Sequence, residues 1–207
     1  MLRFESSKHK AARLVIAAAL LVLPASLVAG CASRAHAGSQ KPAKLVVFSS
    51  SKYGFSIAHP AGWTQVTNPE AVLRSSTHVS FSIWWKEATP SGATGGIGVG
   101  VLGHGPRLSV AEQQLYFRHL LAEYRRLQRR KTRDSGGYVF DKVRPGRIDG
   151  EPAVWVHGTG PVSSAGTSAI ECWYVVAKYA VYDVVVSGTS LGWVSAHENL
   201  TGTFHVE

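Results

Sequence analysis

Tyr53-Gly54-Phe55-Ser56-Ile57-Ala58-His59-Pro60-Ala61-Gly62-Trp63 sets Phe55, Ile57 and His59 against Ser56 and Ala58, then meets Pro60, Ala61 and Gly62. Side chains along a strand point alternately to its two faces, so this period of two predicts a strand with one buried face. Proline and glycine close it in a turn, and Trp63 begins whatever follows.

Working outward, the same period recurs. "VSFSIWW" sets Val79, Phe81 and Ile83 against Ser80, Ser82 and Trp84. "GIGVGV" sets Ile97, Val99 and Val101 against glycines, and "AVWVHG", "AIECWYVVA" and "AVYDVVVSG" follow. Short alternating runs between turn residues predict antiparallel strands. The last two flank Lys178-Tyr179 closely enough for a hairpin, although no glycine marks the turn.

One long helix interrupts the strands. Ser109-Val110-Ala111-Glu112 has the spacing of a capping box, in which serine and glutamate satisfy each other's backbone donors. Val110, Gln113, Phe117, Leu120, Leu121, Tyr124 and Leu127 then share one helical face, which predicts the packed side. Arg118, Arg125, Arg126, Arg129 and Arg133 share the other. That stripe reads either as a solvated face, its long stems covering apolar ground, or as a contact for an anionic surface. A weaker helix is expected from Leu191 towards Asn199, and "GTFHVE" closes the chain as a short strand.

Three patterns invite chemistry. Gly98-Val99-Gly100-Val101-Leu102-Gly103 matches GxGxxG, but a dinucleotide fingerprint joins strand directly to helix, whereas here the glycines lie inside an alternating strand. Glycines on one strand face predict room for a large ring, and the chain has six tryptophans. Gly188-Thr189-Ser190-Leu191-Gly192 matches the nucleophile elbow GxSxG; only Glu198 and His205 could follow it in the required order. The histidines show no HxxxH or HExxH spacing and the carboxylates are dispersed, so neither a metal site nor a cofactor is expected.

With this order of elements, Tyr53–Trp63 resembles the opening of PsbP-like domains, including LpqN-type bacterial lipoproteins: a glycine-aromatic strand, then proline, a small residue, glycine and tryptophan. His59 stands where an aromatic residue is common. The resemblance covers about 53–206. It implies an α+β fold, a central antiparallel β-sheet packed by one long and one short helix. It carries over no photosystem role, because a fold does not set a function. No metal or contact residue of the family is matched position by position, and none is transferred.

The N-terminus speaks to location. Arg3, Lys8, Lys10 and Arg13 precede residues 14–30, "LVIAAALLVLPASLVAG", which carry no charge. A basic region, an apolar run and small residues before a polar segment describe a secretory signal peptide. Seventeen residues sit at the short limit for crossing roughly 30 Å of hydrocarbon, and Pro24 interrupts them. Val28-Ala29-Gly30-Cys31 resembles the bacterial lipobox. That resemblance implies a diacylglycerol on the Cys31 sulfur, cleavage before Cys31 and acylation of the new amino group. An uncleaved anchor and a plain secreted protein are the competing readings. Residues 1–30 are thus expected as a lipoprotein signal peptide, 31–44 as a flexible tether and 45–207 as the folded domain. A thioether at Cys31 leaves Cys172 as a buried thiol behaving as a small apolar residue.

Of 207 residues, 45% are hydrophobic and 17% charged, which suits a folded chain. The net charge of +9 favours anionic partners in general. The expected protein is a membrane-tethered lipoprotein on the extracytoplasmic face of the cell membrane. Its domain is read as a non-catalytic binding or accessory module. Beyond the anchored membrane, its partners are expected to be anionic lipid or an envelope protein, with no nucleic acid. A carrier or sensor of an apolar or lipid ligand is the alternative, and a serine hydrolase built on Ser190, Glu198 and His205 comes third. An enlarged apolar pocket between helix and sheet would favour the carrier.

Overall fold

The computed structural model describes residues 44–67, 81–87, 95–104, 106–131, 138–163 and 166–207. Cys31, Arg133, Val79, the signal segment and most of the tether lie outside them. Strands β1 (Leu45–Ser50), β2 (Phe55–Pro60), β3 (Thr64–Thr67), β4 (Phe81–Lys86) and β5 (Gly95–His104) precede helix α1 (Val110–Arg130). Then come β6 (Val139–Ile148), β7 (Glu151–Ser163), β8 (Gly166–Val176), β9 (Ala180–Gly188), helix α2 (Leu191–His197), a 3₁₀ turn (Glu198–Thr203) and β10 (His205–Val206).

The strands form two antiparallel sheets. A seven-stranded sheet has the order β3-β4-β5-β9-β8-β7-β6, and a three-stranded one the order β1-β2-β10. The expected α+β fold with one long and one short helix is present, and β2 belongs to the small second sheet. Long strands carry apolar side chains on both faces, and each face needs a cover. Ile83, Trp85, Val99, Tyr182 and Val184 pack with Phe55, Ile57 and Phe204 of the small-sheet layer. On the opposite face, Val154, Val156, Cys172 and Tyr174 pack with Leu120 and Tyr124 of α1.

The opening motif joins these layers. Gly62 has φ 88°, a conformation that side-chain-bearing residues rarely adopt, and it turns the chain out of β2. The turn delivers Trp63 onto Trp193 of α2, with ring centroids 5.8 Å apart. His59 takes an aromatic role, stacked on Trp85 at 4.6 Å.

The capping box is formed: Ser109 Oγ accepts from the Glu112 N–H at 3.3 Å, and Glu112 Oε2 accepts from the Ser109 N–H at 2.8 Å. Leu120, Tyr124 and Gln113 are buried as the helical face predicts. Val110 departs from the expectation and is 74% exposed. It opens the helix beside the β8–β9 turn, where the Leu108 N–H donates to Lys178 O, and not over a strand. That turn closes without glycine because Ala177 N–H donates to Ala180 O at 2.9 Å and no residue in it needs a positive φ.

Candidate functional site

The arginine stripe divides. Arg118, Arg125 and Arg129 are exposed on α1, while Arg126 is paired within the helix, its Nε donating to Glu123 Oε2 at 2.9 Å. The hydrogen bond from Arg126 holds the Glu123 carboxyl below its ordinary range. The helix layer also lies opposite the layer that contains β1, the first described strand. Four arginines of the expected stripe lie on the described helix, and three of these four are without an ion pair among the described residues.

The glycine motif has the expected ring. A Cβ on Gly98 would stand 2.5 Å from Cδ2 of Trp84, so the indole occupies the space that the glycine leaves. The GxSxG residues are engaged separately. Ser190 caps α2, its Oγ accepting from the Trp193 N–H at 3.1 Å. His205 Nδ1 lies 3.0 Å from Asp149 Oδ1, and Glu198 is exposed at the start of the 3₁₀ turn. Among the described residues no three His, Cys, Asp or Glu side chains gather as metal ligands.

A different cluster sits on the small-sheet side of β6, β7 and β8, beyond the part that α2 and the 3₁₀ turn cover. Register builds it. Trp155 pairs with Trp173 and His157 with Glu171 across β7 and β8. On β6, the register shifts between Phe140 and Lys142, leaving Asp141 as the extra residue of a bulge. Phe140 and Val143 both join the helix-side core, so the bulge brings Asp141 round towards His157. Gln128 of α1 fixes the bulge by donating to Asp141 O at 2.7 Å.

The result is a chain of polar contacts. His157 Nδ1 lies 2.6 Å from Asp141 Oδ1, within hydrogen-bond distance. Glu171, 4% exposed, is hydrogen-bonded by the side chains of Trp155 and Trp173. Burial pushes its carboxyl up, and Glu198 adds to this; the two indoles and His157 oppose the shift. The Arg144 guanidinium lies 5.3 Å from the Trp155 ring centroid. A Cβ on Gly146 would meet the Trp173 ring at 2.5 Å, so this glycine seats the second indole. Trp155, His157 and Trp173 remain half-buried and Arg144 exposed.

Sequence reading placed the strands "AVWVHG" and "AIECWYVVA" but not their register, and it omitted β6. The omitted signal was Asp149-Gly150 before Glu151. Both residues have positive φ, 51° and 78°, as a tight hairpin turn requires.

A cavity of about 420 Å³ lies at another end of the molecule, between the β1–β2 turn, the β8–β9 turn and β10. Lys52, Asp149, Glu151 and Lys178 stand among its walls with Tyr53 and Tyr182. The Tyr182 hydroxyl donates to Tyr53 O at 2.6 Å, and burial pushes it up to about 12.

Among solved structures, the solution structure of CyanoP, the cyanobacterial PsbP of Synechocystis sp. PCC 6803, is 14% identical, with a TM-score of 0.53, over 84% of this chain and 99% of that one. The fold is PsbP-like. A crystal structure from Bacteroides thetaiotaomicron VPI-5482 is 12% identical with a TM-score of 0.50; the match covers 78% of this chain and 48% of that one, about half its length. At these identities the likeness concerns the fold alone. No family profile and no curated protein matches the chain. No helix among the described residues is long and apolar enough to cross a membrane.

Proposed function

We propose that this chain is an exported lipoprotein held by Cys31 to the extracytoplasmic face of the cell membrane. Its PsbP-like domain is a non-catalytic binding module, and the open β6–β8 face is where it meets an envelope protein. One observation carries the binding surface: Arg144, Trp155, Trp173 and His157 are held together, half-open to solvent, on a sheet that rigidifies them. Tryptophan and arginine are enriched in binding hot spots, where large side chains fill desolvated pockets. Glu171 and Asp141 orient these side chains through the indoles and the imidazole.

The carrier reading has less support. The helix–sheet interface is filled by Leu120, Tyr124, Phe140 and Tyr174, and the cavity of about 420 Å³ has charged walls. The test has two arms. Cys31→Ala should leave the precursor uncleaved and abolish lipid labelling; normal labelling would remove the tether. A photo-crosslinking amino acid at position 144 should give a discrete adduct in intact cells that Trp155→Ala abolishes, while the same probe at position 118 gives none. Equal adducts at both positions would refute the β6–β8 face as the partner surface.

A further inference from the structure

On the helix side of the large sheet, register places four residues in one row. Ser82 pairs with Gly100, Gly100 with Asp183 and Asp183 with Tyr174. Helix α1 packs on β6, β7 and β8, so the β4–β5–β9 end of the row lies to its side. Gly100 leaves a gap that the neighbouring carboxylate enters: a Cβ on Gly100 would stand 2.0 Å from Asp183 Oδ1. The carboxylate therefore leans from β9 across β5 towards Ser82 on β4.

At each end of that approach one oxygen atom is buried and unpaired, although Asp183 as a residue is only half-buried. Asp183 Oδ1 and Ser82 Oγ are out of solvent, and neither has a hydrogen-bond partner among the described residues; Ser82 is 3% exposed. Leaving such groups unpaired is costly, and most buried polar atoms have partners. No lysine or arginine forms an ion pair with Asp183 among the described residues. One same-face position along β4, the Trp84 ring lies over Gly98 and borders the row. Two oxygen acceptors, one of them anionic, beside an aromatic face are the complement of a cation that donates hydrogen bonds.

We infer that Asp183 and Ser82 form a recognition site for a protonated primary amine, whose N–H groups bond Asp183 Oδ1 and Ser82 Oγ and whose charge rests beside Trp84. This site is independent of the tether and of the β6–β8 face. The backbone N–H groups of Gly100 and Asp183 only partly offset the carboxylate's charge, which a neutral ligand leaves without a counter-ion and which repels an anion. A quaternary ammonium has no N–H to donate.

The test titrates the full chain, in neutral detergent at pH 7.5, with methylammonium, n-butylammonium, tetramethylammonium and sodium chlorides. The readout is the indole N–H resonance of Trp84, assigned with Trp84→Phe. A primary amine should shift it saturably, and Asp183→Asn should weaken that binding about tenfold or more, as expected for a lost charge-assisted bond. Ser82→Ala, a milder change, should weaken it about threefold. Saturable binding of either primary amine supports the site, and tighter binding of n-butylammonium assigns it to a lysine side chain. The inference is overturned if tetramethylammonium or sodium shifts Trp84 equally, if no amine saturates, or if both folded variants bind like the wild type.

Discussion

Trp84 lies across Gly98, with only 2.5 Å between Cδ2 of the indole and the position of a Cβ on that glycine. A methyl group there must displace the ring or the strand. Gly98→Ala should therefore cost about 1–3 kcal/mol, the usual range for overpacking. Gly103, the last glycine of the same motif, has open space around its missing Cβ. Gly103→Ala should stay within about 0.5 kcal/mol of wild type. Urea denaturation of both variants checks this, and equal costs would show that the ring does not need the glycine.

Asp183 predicts an unusual pH dependence. Burial pushes its carboxyl from 3.8 up to about 6, against the pull of the Gly100 and Asp183 backbone N–H groups. Between those values the folded chain keeps a proton that the unfolded chain has released. The stability this group contributes is thus fully present below about pH 4 and lost as the pH rises through 6. Asp183→Asn should match wild type near pH 4 and exceed it near pH 7.5 by on the order of 1–3 kcal/mol. Thermal unfolding at both pH values measures the difference. Glu171, also raised by burial, contributes in the same direction to both proteins and cancels in the comparison. A gap that does not change with pH would argue against a buried Asp183 carboxylate.

Cys172 is fully buried between β7 and β9, packed into the helix-side core. The folded protein should react with maleimide only as fast as it unfolds, and quickly in denaturant. Fast labelling under native conditions would contradict the packing.

Arg118, Arg125 and Arg129 should behave as a solvated face. Arg126 already has Glu123, and the helix lies on the layer opposite β1, the strand that the proposed tether would precede. Soluble domain lacking Cys31, with these three arginines changed to glutamine, should bind anionic vesicles no less than wild type at low salt. A marked loss, itself suppressed by added salt, would restore the anionic-surface reading.

Local patterns were sufficient for much of the fold. Period-two alternation announced β2, β4, β5, β7, β8 and β9, and the Ser109–Glu112 box started α1 at the right residue, because strand faces and helix caps are settled by neighbours in sequence. The glycines of β5 were legible as a seat for a ring, although not for which ring. β6 was missed because Asp141, Lys142, Arg144, Pro145 and Gly146 break its apolar rhythm. An edge strand tolerates this, having only one neighbour to satisfy.

By itself, then, the sequence determined the α+β class, the long and short helices and the expectation of export by a signal peptide with lipid attached at Cys31. Each of these rests on residues close together along the chain. Only the tertiary structure decided that Glu171 faces His157, that a bulge brings Asp141 to the same imidazole, and that the Asp183 carboxylate fills the gap at Gly100 in one row with Ser82. Those meetings depend on strand order and register. A shift of one residue in register would turn each of these side chains to the other face, and no local pattern records which register the packed cores select.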